Sequence, residues 1–479
     1  MTPRTPRSAA PARATAVALL TTASLLLSGA PVSADPAPDI VDRLEDVPGL
    51  RVIDEVETEP GFRYFVLGYT QPADHDRPRG QTFEQRLTLL HRGFDRPTVL
   101  HTSGYDVNTR PFRAEPTRLI DGNQISTEQR FFEPSRPEPA DWDDLDIRQA
   151  AADHHRLIAA LNDVYTEEWV STGASKGGMT SVYHRRFYPG DLDGTIAYVA
   201  PNDVHDDRDR AYLEFFETVG EDGSCQADLE AVQRTALERR GELVDHYTAL
   251  AQENGWTFDQ TIGSADRAFE MLVLDTPWAF WQYQPQPQAC AEVPAADAPT
   301  SEIAAFLDEI AGFSFYTDQG TIPYTPYYYQ AATQLGTPSV PTDHLRGLLR
   351  YPGLFQARTY LTDDLDDARF DRRAMPDIDR WVRTRSEEMM FVDGEWDPWG
   401  AEPFRVPDST RRETMRFVAP EANHGATIAA LEAADRAAAT EALRRWAGVA
   451  DEAQPRSGGW VPGLDDAEEQ RRLPERGFV

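Results

Sequence analysis

Glu168-Trp169-Val170-Ser171-Thr172-Gly173-Ala174-Ser175-Lys176-Gly177-Gly178 opens on a short run of β-branched and aromatic residues and closes on three glycines around one serine. The run to Thr172 predicts a buried strand, and a helical stretch starts near Met179. Between them stands G-x-S-x-G, the pattern of a nucleophile elbow, which holds a serine on a sharp strand-to-helix turn. Neighbouring Cβ atoms would collide with strand and helix there, so the glycines have a steric reason for their positions. A lone G-x-S-x-G arises by chance often enough to be moderate evidence. The strand-turn-helix setting makes it specific, and Ser175 becomes the candidate nucleophile.

Outward from this turn, strands and helices alternate. Residues 51–56 and 63–67 read as strands, 98–100 as a short buried strand running into Ser103-Gly104-Tyr105, and 124–132 as another. Ile147, Ala151, His154, Ile158 and Leu161 recur at helical spacing across 141–161, with His154 a packing histidine on that stripe. Further strands are predicted at 195–200, 389–392 and 415–418, with an alanine-rich closing helix over 427–449. The alternation predicts a mostly parallel sheet covered on both faces, an α/β-hydrolase core built from 35–203 and 386–450. Residues 204–385 carry helical patterns, the aromatic cluster Pro323-Tyr324-Thr325-Pro326-Tyr327-Tyr328-Tyr329 and both cysteines, and are predicted to form one inserted helical cap. The tail, 451–479, is expected to be loosely ordered.

A serine hydroxyl needs a base to remove its proton. In this fold the order along the chain is serine, acid, histidine, each at the end of a later strand. The loop after 389–392 is Asp393-Gly394-Glu395-Trp396-Asp397-Pro398-Trp399, which makes Asp397 the candidate acid and Asp393 the fallback. The loop after 415–418 carries Asn423-His424-Gly425, and of ten histidines only His424 lies beyond Asp397. His424 is the candidate base. The oxyanion hole needs two backbone N–H groups, assigned to Lys176, which follows the nucleophile, and to Tyr105 in the loop after 98–100. Lys176 is the only lysine in the chain. Its ammonium either adds to the electrostatics of the site or pairs with a carboxylate.

Bulk properties set the context. Arg4, Arg7 and Arg13, an apolar run over 14–27 and Val32-Ser33-Ala34 have the layout of a secretory signal over residues 1–34. The run is too short to span a bilayer, so the mature protein is expected outside the cell and off the membrane. The formal charge of −33 repels nucleic acid and anionic membranes and suits cationic or neutral substrates, although it also simply maintains solubility. Cys225 and Cys290 are read as one disulfide, worth about 4 kcal/mol in the chain-entropy model, against the alternative of two buried thiols. Two cysteines build no thiolate metal site, H-E-x-x-H is absent, and no phosphate loop is visible, so no metal or cofactor is expected.

At Gly173–Gly178, Thr127-Glu128-Gln129-Arg130-Phe131-Phe132 and Asp397-Pro398-Trp399 the chain resembles the secreted prolyl tripeptidyl aminopeptidases of actinobacteria, distant relatives of the lysosomal Pro-X carboxypeptidases. Those lysosomal relatives place an aromatic residue where Lys176 stands, a departure that fits the actinobacterial group. The resemblance covers nearly all of the mature chain. It implies a serine exopeptidase that releases tripeptides or tetrapeptides from free N-termini, preferably after proline; separately, the protein is expected to be a monomer. An acidic rim suits a substrate ammonium, and Glu128 is the candidate anchor, with pairing to an arginine as the alternative. Phe132, Trp396 and Trp399 are candidate walls of the proline pocket, with Phe131 beside them. A secreted lipase or esterase of the same fold is the second reading, since fold and triad serve both. A binding module with a dead triad is the third.

Overall fold

The computed structural model describes residues 39–220, 222–284, 288–365, 367–407, 410–449 and 459–466. The expected signal at 1–34 lies outside them.

Among the described residues nine strands form one sheet in the order β1-β2-β3-β5-β4-β6-β7-β8-β9. They are β1 (Leu50–Val56), β2 (Arg63–Pro72), β3 (Thr82–His91), β4 (Thr98–Thr102), β5 (Asn123–Thr127), β6 (Trp169–Ala174), β7 (Gly194–Tyr198), β8 (Met389–Gly394) and β9 (Thr414–Ala419). The first three strands and the β3–β5 pair are antiparallel, and every pair from β5 through β4 to β9 is parallel. Parallel strands demand crossovers over the sheet faces, which include the helices Ile147–Leu161 and Lys176–Phe187, and Ala433–Trp446 packs on the sheet after the last strand. β4 to β8 are buried almost throughout because helices cover both faces; β4, β6, β7 and β8 are rich in apolar and β-branched residues, while β5 buries Asn123, Gln124, Ser126 and Thr127 in hydrogen bonds. The Ile147–Leu161 helix begins where Asp146 caps it, its carboxylate accepting from the Gln149 N–H at 2.6 Å.

Three expectations change. β3 was not anticipated: its polar residues meet partners beyond the strand, Glu84 with Arg51 on β1 and Arg86 with Glu128 just after β5, so it lacks a clean alternation. The strand expected over 124–132 stops at Thr127, because Glu128 and Arg130 leave the ladder for buried ion pairs. The tail is not uniformly loose. Residues 459–466 dock on the sheet's antiparallel flank, where Asp465 pairs with buried Arg113 and Leu464 packs with Tyr64 and Leu90.

Between β7 and β8 the described residues contain helices and turns but no strand. Helices Ser224–Glu238, Arg240–Asn254, Ala265–Tyr283 and Thr300–Ala311 share one large apolar core. Cys225 and Cys290 are disulfide-bonded across 65 residues of that segment. The last helix before β8, Ala374–Arg385, was expected within the cap. It packs instead on the Lys176–Phe187 helix and on β8 through Met375, Ile378 and Val382, and so belongs to the sheet's covering layer. Among the described residues no helix is long and apolar enough to cross a membrane.

Candidate active site

Ser175 stands between β6 and the Lys176–Phe187 helix at φ 54°, ψ −128°. This sparsely populated conformation costs roughly 1–3 kcal/mol and persists only where the surroundings enforce it. Here they do. The Thr102 hydroxyl at the end of β4 donates to the Gly177 carbonyl at 2.6 Å, and the Ser175 N–H donates to the Tyr198 carbonyl at 3.0 Å. A Cβ on Gly177 would collide with the Thr102 carbonyl, so only glycine lets the helix come this close.

The loops after β8 and β9 bring Asp397 and His424 together. His424 Nδ1 lies 2.7 Å from Asp397 Oδ2, and the other carboxylate oxygen accepts from the Trp399 N–H at 3.1 Å. Both side chains are buried, and His424 Nε2 has no hydrogen-bond partner. The carboxylate thus orients the ring and leaves its second nitrogen open. The inserted segment contributes as well: the His424 N–H donates to the Gln282 carbonyl at 3.2 Å, and the Tyr283 ring stands edge-on to the imidazole at 6.5 Å. Asp393, the fallback acid, is held instead by Arg416 Nε at 2.5 Å, and burial raises its pKa to about 6.

Ser175, Tyr105, Lys176 and Trp399 line one narrow pocket, together with Met179, Pro201, Asp203, Tyr327, Leu335, Gly336 and Pro338. Tyr105 arrives with a different group from the one expected. Its N–H is occupied by Ser103 Oγ at 3.2 Å, whereas its buried hydroxyl hydrogen-bonds Ser175. The turn at Gly104 explains the exchange, since it points the amide back into its own loop and the phenol forward. Lys176 is buried under the elbow; Nζ donates to the Gly104 carbonyl at 2.8 Å and lies 5.7 Å from the Tyr105 ring centroid. Burial without a carboxylate partner lowers its pKa to about 7.

The remaining expectations divide. Trp399 lines the pocket with its ring 6.4 Å from His424, but Trp396 packs on Trp281 away from it. Phe132 supports the Tyr105 ring from behind at 5.7 Å. Glu128 is not available to a substrate: Arg86, the Ser135 hydroxyl (2.5 Å) and the Val107 N–H (3.2 Å) fill its carboxylate. Burial still raises its pKa to about 7. Sequence reasoning missed Tyr327 and Asp203. Tyr327 belonged to an aromatic cluster that stood out, while nothing around Asp203 distinguishes it from the chain's many aspartates.

A serine on a strained elbow at a parallel sheet's carboxyl edge, beside a buried carboxylate–imidazole pair, defines the class of α/β-hydrolase serine hydrolases. Within that class the chain belongs to the PS-10 peptidase S37 family, which it matches over residues 34–471. It is a serine peptidase. It is 55% identical to a prolyl tri/tetrapeptidyl aminopeptidase of Streptomyces mobaraensis over 419 residues, 87% of each chain. Among solved structures it is similar to a proline iminopeptidase of Mycobacterium smegmatis, with 15% identity, a TM-score of 0.37, and coverage of 80% of this chain and all of that one.

Proposed function

We propose that Ser175, Asp397 and His424 form the catalytic triad of an exopeptidase that releases tripeptides or tetrapeptides from free N-termini, preferably after proline. The observation that carries it is the 2.7 Å His424–Asp397 contact with its unpartnered Nε2, linked to the serine's pocket by Trp399, which lines that pocket, donates its N–H to Asp397 and lies 6.4 Å from the imidazole. In this reading His424 takes the Ser175 proton as Oγ attacks the carbonyl before the scissile bond. Asp397 stabilises the imidazolium, which then protonates the leaving amine, and water hydrolyses the acyl-enzyme. The Lys176 N–H and the Tyr105 hydroxyl stabilise the oxyanion. Met179, Tyr327, Leu335, Pro338 and Trp399 supply the apolar walls a proline ring requires.

The segment between β7 and the Ala374–Arg385 helix acts as a cap that admits peptide ends and excludes folded chains. Its Gln282 and Tyr283 lie against His424, and its Tyr327 and Leu335 line the pocket. Residues 1–34 serve as an export signal, and the Cys225–Cys290 disulfide suits an oxidising compartment. The relative's name and the family support the peptide specificity.

The test is turnover of Ala-Ala-Pro-p-nitroanilide with a free or an acetylated N-terminus. The free peptide is cleaved at least 100-fold better, and Ser175→Ala abolishes both turnover and fluorophosphonate labelling. Equal cleavage of the two peptides sinks the exopeptidase reading. Labelling that persists in Ser175→Ala sinks the nucleophile.

A further inference from the structure

Among the described residues most buried carboxylates meet an arginine. Glu128 has Arg86, Asp153 has Arg130, Asp465 has Arg113 and Glu270 has Arg240. Asp275, on the Ala265–Tyr283 helix of the insertion, breaks the pattern. It is 6% exposed, Oδ2 accepts one hydrogen bond from the Tyr316 hydroxyl at 2.5 Å, and Oδ1 has no partner. Leaving a buried carboxylate oxygen unpaired is costly, so the position reads as a site awaiting a donor.

The surroundings specify which donor. The carboxylate lies within electrostatic range of Tyr283, Tyr316, Tyr327, Tyr328 and Tyr360. The Tyr328 and Tyr360 rings stack at 3.9 Å, and both hydroxyls are buried without a partner in hydrogen-bond geometry. A carboxylate oxygen and two phenolic oxygens match the three N–H donors of an ammonium. Electron-rich ring faces add cation–π attraction in a dry setting. An unbroken run of rings connects this cage to the nucleophile. Tyr328 lies 5.0 Å from Tyr327, and Tyr327 lies 5.7 Å from Tyr105, whose hydroxyl meets Ser175.

The spacing fits as well. Gln282, which touches His424, and Asp275 are separated by seven helical steps, ~10 Å at 1.5 Å each. Three extended residues span roughly 10–11 Å. Pro277 interrupts this stretch of helix, and the Val273 carbonyl it orphans accepts from Gln233 Nε2 at 2.7 Å, so the backbone stays satisfied.

We propose that Asp275, with Tyr328 and Tyr360, binds the free α-ammonium of the peptide substrate and sets the length released. This rests on the exopeptidase reading above and replaces Glu128 as the anchor. Asp203, the other unpaired buried carboxylate, lies in the pocket at Ser175 itself, too near the scissile bond for this task. Burial, and then Asp209, Asp206 and Glu402 around it, raise its pKa to about 8; burial alone raises that of Asp275, to about 7, and the Tyr316 hydrogen bond opposes it.

The experiment compares kcat/KM for free and acetylated Ala-Ala-Pro-p-nitroanilide in wild type, Asp275→Asn, Asp275→Ser and Asp203→Asn, each expressed per fluorophosphonate-reactive site so that only folded enzyme counts. Asp275→Ser guards against a fold that rejects asparagine. A free-to-acetylated ratio of at least 100 in wild type should fall to within about threefold of unity in the Asp275 variants, through loss on the free peptide. Variants that keep the wild-type ratio overturn Asp275 and leave the exopeptidase reading standing. A ratio abolished by Asp203→Asn alone transfers the role to Asp203. A wild type with no preference overturns the exopeptidase reading and this inference with it.

Discussion

The sheet's antiparallel flank and the pocket at its carboxyl edge treat buried charge in opposite ways. In the flank, Arg130 holds Asp153 through bonds of 2.7 and 2.9 Å and also donates to the Ala73 and Asp144 carbonyls. Arg113 does the same for Asp465. Each guanidinium matches a carboxylate in a two-pronged fork. Around the pocket no arginine answers Asp397, Asp203 or Asp275: Asp397 meets an imidazole and a backbone N–H, Asp275 one phenol, and the Asp203 side chain has no partner in hydrogen-bond geometry. A saturated ion pair gives the chain its geometry and takes no further ligand. An unsaturated one retains its capacity for chemistry, at a cost in stability that the paired flank and the large apolar cores offset.

This contrast is sharpest at the acid. Asp397→Asn should lower kcat roughly 10⁴-fold by disturbing the imidazole tautomer, while Asp393→Asn, which loses only the Arg416 pair, should cost less than tenfold; p-nitroanilide release measures both. Reversed magnitudes would move the acid to Asp393. In the flank the signature is stability rather than rate. Asp153→Ala leaves Arg130 buried and unpaired and should cost about 3–5 kcal/mol in urea unfolding, with the free-to-acetylated ratio unchanged. A shifted ratio would break the division between the regions. Next in size, Tyr105→Phe removes the hydroxyl at Ser175 and should lower kcat about 100- to 1000-fold with KM nearly constant. A loss below tenfold would exclude the phenol from the oxyanion hole.

At Lys176 the effect appears in the pH dependence of stability, not in rate. Burial holds its pKa near 7 against 10.5 in the unfolded chain, so between those values the folded protein binds one proton fewer and stability rises with pH. Lys176→Met, which keeps the backbone N–H, should flatten that rise in unfolding experiments across the same window. Parallel wild-type and variant curves would show that the ammonium is not desolvated.

The parallel half of the sheet was legible because its signals are local. A buried strand, a glycine-bounded turn and a helix follow one another within about twenty residues at Ser175. Asp397 and His424 inherit their places from strand order, as each strand ends where the next loop must carry function. The insertion was legible only as helical and aromatic. Its boundary was misplaced at Ala374–Arg385, a helix whose apolar stripe serves the sheet layer as readily as a cap. One local signal was present and unused: Asp275 is a lone acid in the apolar stretch Leu272-Val273-Leu274-Asp275-Thr276-Pro277-Trp278.

What the sequence determined by itself was therefore the class of fold, the elbow, and the order of serine, acid and base, since these follow from periodicity and from residues adjacent in the chain. Tertiary structure alone decided which polar groups were spent and which remained free. Glu128 is filled by Arg86, 42 positions away, and Tyr105 presents its hydroxyl because Ser103 takes its amide. Asp275 keeps an open oxygen because no arginine folds against it. Hydrogen-bond capacity is a property of a neighbourhood, and long-range packing sets it.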